Sequence, residues 1–373
     1  MPMLSDKDIP EITTLQADHR SYFGVKISLR KVIFYLASIA LFAILYIKWG
    51  EVSELREIFL RSHISWLFVA IFLQALTYHF LALNYHYIFR IKGHVVSARE
   101  LYPMTLITQF LNQAFPSAGL SGQVFLVDYL RSRGATIVEG VGRAILEVSS
   151  MFCGFGILFI TASVLFFTTH AFSAHPEFIY LIYVFWGFAA LFLTIFFTIQ
   201  RPKGRGFMGK IVSYFRIRSE FKREANKNKK QGKFKNYWSV FTQELRGNMN
   251  LKSLADNRDL FLMAMMWQFV VLILHVLTLY ALALALDIKI SLALTVVIFT
   301  FTQFVSMISF VPGSLIVYEG GMSIMLIAFG VDKGSALTLA LLFRALIFWL
   351  PMPIGWLLYR KHEKDYHKQK LAS

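Results

Sequence analysis

L-Y-P-M-T-L-I-T-Q-F-L-N-Q-A-F-P-S-A-G-L-S-G-Q-V-F-L-V-D-Y-L, residues 101–130, is apolar enough to enter a lipid bilayer but is interrupted in its middle. Pro116, Gly119 and Gly122 separate two apolar pieces. Each piece runs to about 12–15 residues, where a helical crossing needs ~20. Proline lacks the amide N–H that a helix interior requires, and glycine is a poor helix former, so the helix is expected to stop here. Residues 290–330 carry a comparable break at V-P-G-S, residues 311–314, although the part before this break is long enough to cross alone. Interrupted backbone at membrane depth is tolerated only where protein or a wet cavity satisfies its polar groups. Both segments are therefore predicted to be broken or re-entrant helical hairpins that enter and leave on one side.

Around these hairpins lie six longer apolar runs, residues 32–49, 64–91, 137–168, 178–199, 260–286 and 336–359. Each has about 18 residues or more, enough to cross ~30 Å of hydrocarbon at ~1.5 Å per residue. The predicted fold class is an all-α polytopic membrane protein with about six to eight transmembrane helices. Composition agrees: 56% of the 373 residues are hydrophobic and 16% charged, against roughly 25% charged in ordinary globular chains. Residues 1–25 are mixed polar, with Asp6, Asp8, Glu11 and Asp18 interrupting any basic region, so the first apolar run is expected to be an uncleaved anchor. The single cysteine, Cys153, lies in an apolar run and reads as a small core residue.

The formal net charge of +16 is distributed unevenly. Lys26, Arg30 and Lys31 precede the first run, Arg90, Lys92 and Arg99 follow the second, residues 201–258 are rich in Lys and Arg, and Arg360, Lys361, Lys364, Lys368 and Lys370 close the chain. Residues 169–177 carry none. Positive charge collects on the cytoplasmic side, which assigns both termini and the 201–258 segment to the cytoplasm of a cell membrane. The organisation reads as a cytoplasmic segment (1–31), a first membrane half (32–199), a basic cytoplasmic loop (200–259), a second membrane half (260–360) and a basic tail (361–373). The order along the chain is helix, helix, hairpin, helix, then the same again from residue 178, so each repeat holds three crossings and one hairpin. An odd number makes the second repeat start from the opposite side, the layout of an inverted repeat. Pro116 precedes Gly134 by the same interval as Pro312 precedes Gly330, Gln123 falls opposite Glu319, and Gln109 and Gln303 precede the two breaks.

Ionisable groups inside a span cost ~2.5–3.5 kcal/mol each on insertion scales, so the ones present need a reason. Arg143 and Glu147 are one helical turn apart and could pair, glue helices together, or in the case of Arg143 reach the interface. Arg344 has no carboxylate one turn away, so its partner must come from another segment, and Glu319 is the candidate. Asn112 and Gln113, with Gln109, form a polar row leading into the first break, suited either to lining a cavity or to bonding across helices. His79, His86 and His275 lack a further converging ligand, so neither a metal nor a cofactor is expected. No phosphate-binding loop, dinucleotide fingerprint, zinc-protease motif or nucleophile elbow occurs, which argues against an enzyme. The basic 201–258 segment suits anionic lipid or an ordinary inside-positive loop, and nucleic acid is not expected.

F-V-P-G-S-L-I-V-Y-E-G-G, residues 310–321, with Gly330, the helix around Arg344, Pro351 and Gly355, resembles the transmembrane region of the lysylphosphatidylglycerol synthase family and its stand-alone, flippase-like relatives. The first hairpin, with Asn112, Pro116, Gly119, Gly122, Gly134 and Arg143, is similar to the family's other motif. The likeness spans roughly residues 30–360. One departure is P-G-S-L-I, where relatives carry a Gly-Gly pair soon after the proline. A counterpart of the aminoacyl-transfer domain is absent from this sequence, so the resemblance implies movement or binding of a lipid rather than lysyl transfer. The expected substrate is an anionic phospholipid or lipid-linked glycan. The alternative is a non-catalytic scaffold presenting a lipid to a partner transferase, and a homo-oligomer is also open. The residues expected to serve the lipid path are Arg344, Glu319, Arg143, Glu147, Asn112, Gln113, Pro116, Gly119, Gly122, Pro312 and Gly313.

Overall fold

The computed structural model describes residues 63–90, 97–114, 120–133, 135, 137–169, 173, 175–200, 258–309 and 312–372. Every regular element among them is helical. In chain order these are α1 (Ile64–Arg90), α2 (Ala98–Ala114), α3 (Leu120–Ser132), α4 (Ile137–Thr168), α5 (Ile179–Gln200), α6 (Arg258–Ala285), α7 (Leu292–Ile308), α8 (Val317–Ala328), α9 (Lys333–Arg344) and α10 (Pro351–Ala372). Short 3₁₀ turns occupy Pro176–Phe178 and Pro312–Ser314, and a π turn, Ala345–Trp349, joins α9 to α10. The first apolar run (32–49), Pro116, Gly119, Gly134 and nearly all of the basic 200–259 loop lie outside the described residues.

Among the described residues, four stretches are long and apolar enough to cross a bilayer: Ile64–Phe89, Gly142–Thr168, Phe261–Ala285 and Lys333–Asp365. The protein is an all-α polytopic membrane protein. The hairpin arms are shorter. α2 and α7 have 17 residues each, and α3 and α8 have 13 and 12. At ~1.5 Å per residue these rise roughly 18–25 Å, short of a ~30 Å core. α2 exceeds the expected length because its helix begins at Ala98, in the polar segment before Leu101.

Among the described residues, the helices around the two hairpins match in order. α1 and α6, the long helices before each hairpin, have 27 and 28 residues. They pack on each other more extensively than any other pair, and they run antiparallel. The His63 N–H, at the start of α1, donates to the Ala285 carbonyl, at the end of α6, at 2.8 Å. Near the opposite ends, Asn84 donates to Gln268 at 3.2 Å, and Phe80 and Tyr87 stack on Trp267. Antiparallel equivalents are what an inverted repeat requires. The symmetry extends further, since α4 packs on α7 as α10 packs on α2.

Both second arms also end alike. At the end of α8, the Val331 N–H reaches back to the Leu326 carbonyl at 3.0 Å and Gly330 to Ile327 at 3.0 Å. This is a Schellman closure, with Gly330 at φ +90°, a conformation that glycine takes without steric cost. At the end of α3, the Ala135 N–H reaches the Leu130 carbonyl at 3.1 Å in the same pattern.

Asp332 then starts α9 as its N-cap, accepting from the Ser335 N–H at 2.9 Å. Hydrogen bonds from Ser335 hold the Asp332 carboxyl below the usual carboxylate range. Asp332→Ala is expected to cost about 1 kcal/mol at neutral pH. Because the folded carboxyl titrates lower than the unfolded one, this contribution is present above the unfolded range and is lost as the pH falls through the folded value. The melting-temperature gap between wild type and Asp332→Ala should therefore close below about pH 4. A gap that persists in acid would exclude a carboxylate cap.

The core between the halves is built from aromatic and aliphatic side chains of α4, α6, α7, α8 and α9, including Phe159, Phe166, Phe299, Phe301 and Phe343. Outward faces stay apolar, with Ile64, Phe68 and Phe72 on α1 and Phe152, Ile160 and Val164 on α4 exposed. Cys153 shares that outer face and is exposed, so it is not the core residue that the sequence suggested. A span that is apolar all round gives no amphipathic cue to which side faces inward.

Candidate functional site

The site is built where the end of α2 meets the second break. In the second break, Gly313 (φ +58°), Ser314 (φ +50°) and Ile316 (φ +70°) all adopt left-handed backbone. Glycine accepts this. For a β-branched residue such as Ile316 it is strained, by about 1–3 kcal/mol. The turn is held by the Ser314 hydroxyl donating to the Ser306 carbonyl at 2.8 Å and by the Gly320 N–H donating to the Ile316 carbonyl at 2.8 Å. A Cβ at Gly313 would come within 2.7 Å of Phe348 Cζ and 3.4 Å of the Gln113 carbonyl oxygen. The end of α2, which leads into the first break, thus lies against the second break.

Arg344 closes α9 beneath this junction. It is 5% exposed, and Glu319, in the first turn of α8, is 4% exposed. Arg344 Nε donates to Glu319 Oε1 at 2.8 Å, and Nη2 donates to the Gly313 carbonyl at 2.7 Å. The expected cross-segment pair is therefore formed, and the carbonyl of the break itself is the second acceptor. The guanidinium is also caged between aromatic rings, 4.2 Å from the Phe348 centroid and 4.8 Å from that of Tyr318. Cation–π contacts of this kind are worth ~0.5–2 kcal/mol.

Directly after Arg344 the helix changes pitch. Ala345–Trp349 is a π turn, with the Leu350 N–H donating to the Ala345 carbonyl at 2.8 Å. The widened turn presents the Ile347 carbonyl, to which the Gln113 side-chain amide donates at 3.4 Å. Single π turns are frequent at functional sites because they free a carbonyl and re-aim side chains. Three buried polar atoms of these residues have no hydrogen-bond partner among the described residues: Glu319 Oε2, Gln113 Oε1 and the Tyr318 hydroxyl. An unsatisfied buried polar group costs roughly 1–3 kcal/mol. The arrangement thus gathers a guanidinium and unpartnered polar atoms in one buried place.

The other predicted residues fall as follows. Asn112 does not point at Arg344. Its Oδ1 accepts from the Gly122 N–H at 2.8 Å, capping the start of α3 from α2 and closing the first hairpin. Gly122 leaves the room for this contact. Pro312 begins the 3₁₀ turn of the second break. Arg143 and Glu147 are both buried in α4, but the structure gives them different partners. Glu139 is the carboxylate that acts on Arg143. Glu147 is met by the Gln123 side-chain amide and the Tyr85 hydroxyl. The i, i+4 spacing allows a pair without imposing one, and Glu147 faces α1 and α3 instead. Tyr318 and Phe348 were not anticipated. Phe348 lies one turn after Arg344 and Tyr318 beside Glu319, but in so aromatic a chain neither spacing stands out. Among the histidines, the His79 ring contacts the Tyr102 hydroxyl and His275 lies against Phe299.

The sequence matches the family described as the lysylphosphatidylglycerol synthase TM region over residues 33–355. The chain belongs to this family. It is also similar to a UPF0104 membrane protein of Pyrococcus horikoshii, at 21% identity over 332 residues, covering 85% of this chain and 92% of the relative. No solved structure matches it. The family match runs through both hairpins and ends at Gly355, the residue at which α10 backs onto Leu106 and Phe110 of α2. Membership therefore covers the whole framework around Arg344.

Proposed function

We propose that this family member moves an anionic phospholipid or a lipid-linked glycan between the leaflets of the cell membrane, with both termini cytoplasmic. The observation that carries this reading is the caged Arg344. A buried guanidinium at the meeting point of two broken hairpins is costly to keep for structure alone. It suits recognition of a phosphate headgroup, which guanidinium groups bind by charge-assisted hydrogen bonds. The N-terminus of α8, at the second break, adds a favourable dipole. Acyl chains would remain in lipid while the headgroup passes Arg344. On this reading the chain itself is not an enzyme. Glu319 holds Arg344 in place until a phosphate competes for it.

The test is a proteoliposome assay with a labelled anionic phospholipid, using dithionite or back-extraction to read the leaflet. Wild type should equilibrate the label well above protein-free vesicles. The paired variant Arg344→Met/Glu319→Leu, which removes both charges together, should fall to background while remaining folded. Equal rates for the two proteins would overturn the reading. The second reading is a scaffold that presents lipid to a separate transferase. It predicts that lipid binds at Arg344 without changing leaflet and that a partner survives detergent extraction.

A further inference from the structure

A second buried polar cluster lies in the first repeat, and the Arg344 site does not use it. The interval that carries Gln123 onto Glu319 carries Glu147 onto Phe343, next to Arg344. Each repeat thus bridges the second arm of its hairpin to the following helix through a carboxylate: Arg344 to Glu319 in one, Gln123 to Glu147 in the other. The two bridges differ in charge. Glu319 is met by a cation. Glu147, 6% exposed, is met only by neutral donors, the Gln123 amide and the Tyr85 hydroxyl.

The titratable and charged groups around Glu147 are few. α1 supplies Tyr85, which also contacts Thr108 of α2. α4 itself supplies Arg143, which is acted on by Glu139. α3 supplies the neutral Gln123, with Asp128 and Tyr129 further along the helix. α6 packs on α4 at Gly154 through Phe269 and Gln268, and α7 packs on it through Phe301 and Phe304, none of them titratable. Among the described residues Glu147 forms no ion pair, so a bound proton would neutralise a charge that no neighbour neutralises.

We propose that Glu147 is a proton-binding site that couples lipid movement to a proton gradient. This rests on the lipid-transport reading of Arg344. The step is a simple transfer: the Glu147 carboxylate takes a proton from water on one side of the membrane, and the acid returns it on the other. An anionic headgroup crossing with one proton moves no net charge. The mechanical link runs through the first hairpin. Gln123 directly follows Gly122, whose N–H is held by Asn112 Oδ1 at 2.8 Å. Asn112 precedes Gln113, which donates to the Ile347 carbonyl in the π turn after Arg344 at 3.4 Å. Protonation weakens the acceptor that Gln123 faces and so loosens the start of α3 at the end that touches the Arg344 site.

The test uses the purified full chain in phosphatidylcholine vesicles with labelled phosphatidylglycerol, under a clamped membrane potential and a pH gradient of either sign. Wild type should move the label several-fold faster with one sign of gradient than with the other. In Glu147→Gln the two rates should become equal, whatever their absolute size, and Glu147→Asp should restore a difference. A Glu147→Gln protein that keeps the wild-type ratio overturns the proposal. A second reading needs no transport. Infrared difference spectra on a pH step should show a protonated-carboxyl band that disappears in Glu147→Gln and shifts in Glu147→Asp. If the band is present but no lipid moves, the transport reading fails and the proton site stands. If wild type moves lipid but shows no such band, the proton site fails and the transport reading stands.

Discussion

Arg344→Ala is expected to destabilise the protein by roughly 3–5 kcal/mol, the usual cost of removing one partner of a buried ion pair. The cause is what stays behind. Glu319, 4% exposed, would keep its charge with no cation beside it, and one of its oxygens already lacks a hydrogen-bond partner. The Gly313 carbonyl would lose its donor as well. Removing both charges as Arg344→Met/Glu319→Leu should recover most of the loss, leaving only about 1–3 kcal/mol for the unpaired carbonyl and the lost ring contacts. Reversible unfolding in mixed micelles, run as a double-mutant cycle, measures this directly. A single variant as stable as wild type would mean that Glu319 has water or another partner at hand. The cycle also separates fold from function, because the paired variant is expected to keep the scaffold while removing the group proposed to meet the headgroup.

The second large effect is at Gly313. Any residue with a Cβ would have to adopt φ +58°, at ~1–2 kcal/mol. The Cβ would also press on the Phe348 ring, 2.7 Å from Cζ, and overpacking of this kind costs ~1–3 kcal/mol. Gly313→Ala is therefore expected to lose roughly 2–5 kcal/mol in the same unfolding assay. The two causes can be told apart. In a Phe348→Leu background the ring is gone, so the penalty of Gly313→Ala should shrink by the overpacking share and keep the conformational share. An unchanged penalty would place the whole cost in the backbone.

Much of this arrangement was readable in the sequence. Pro312 with Gly313 announced the second break, because proline removes a helical hydrogen bond inside a run otherwise fit to cross a membrane. The Arg344–Glu319 pair was readable because charge in lipid must find a counter-charge, and no carboxylate lay on the same helix face. The matching intervals around both breaks pointed to the antiparallel halves that α1 and α6 display. Other features left no such trace. Arg143 and Glu147 have the spacing of a pair, yet each turns to a different neighbour, because one-turn spacing permits contact and tertiary packing decides it. Cys153 was misplaced because an all-apolar helix hides which side meets lipid. The aromatic walls around Arg344 were invisible in a chain where 16% of residues are aromatic, since two more rings carry no signal.

The π turn at Ala345–Trp349 amounts to one surplus residue threaded into an otherwise continuous rod. If the same residues were forced into regular α pitch, with none removed, everything beyond the turn would rotate by a further ~100° about the axis. α10 could then keep its seat on α2 only by turning the guanidinium out of its niche, or keep the guanidinium and lose the seat. The wide turn takes up the extra residue, so one rod presents Arg344 on one surface and Gly355 to α2 on another.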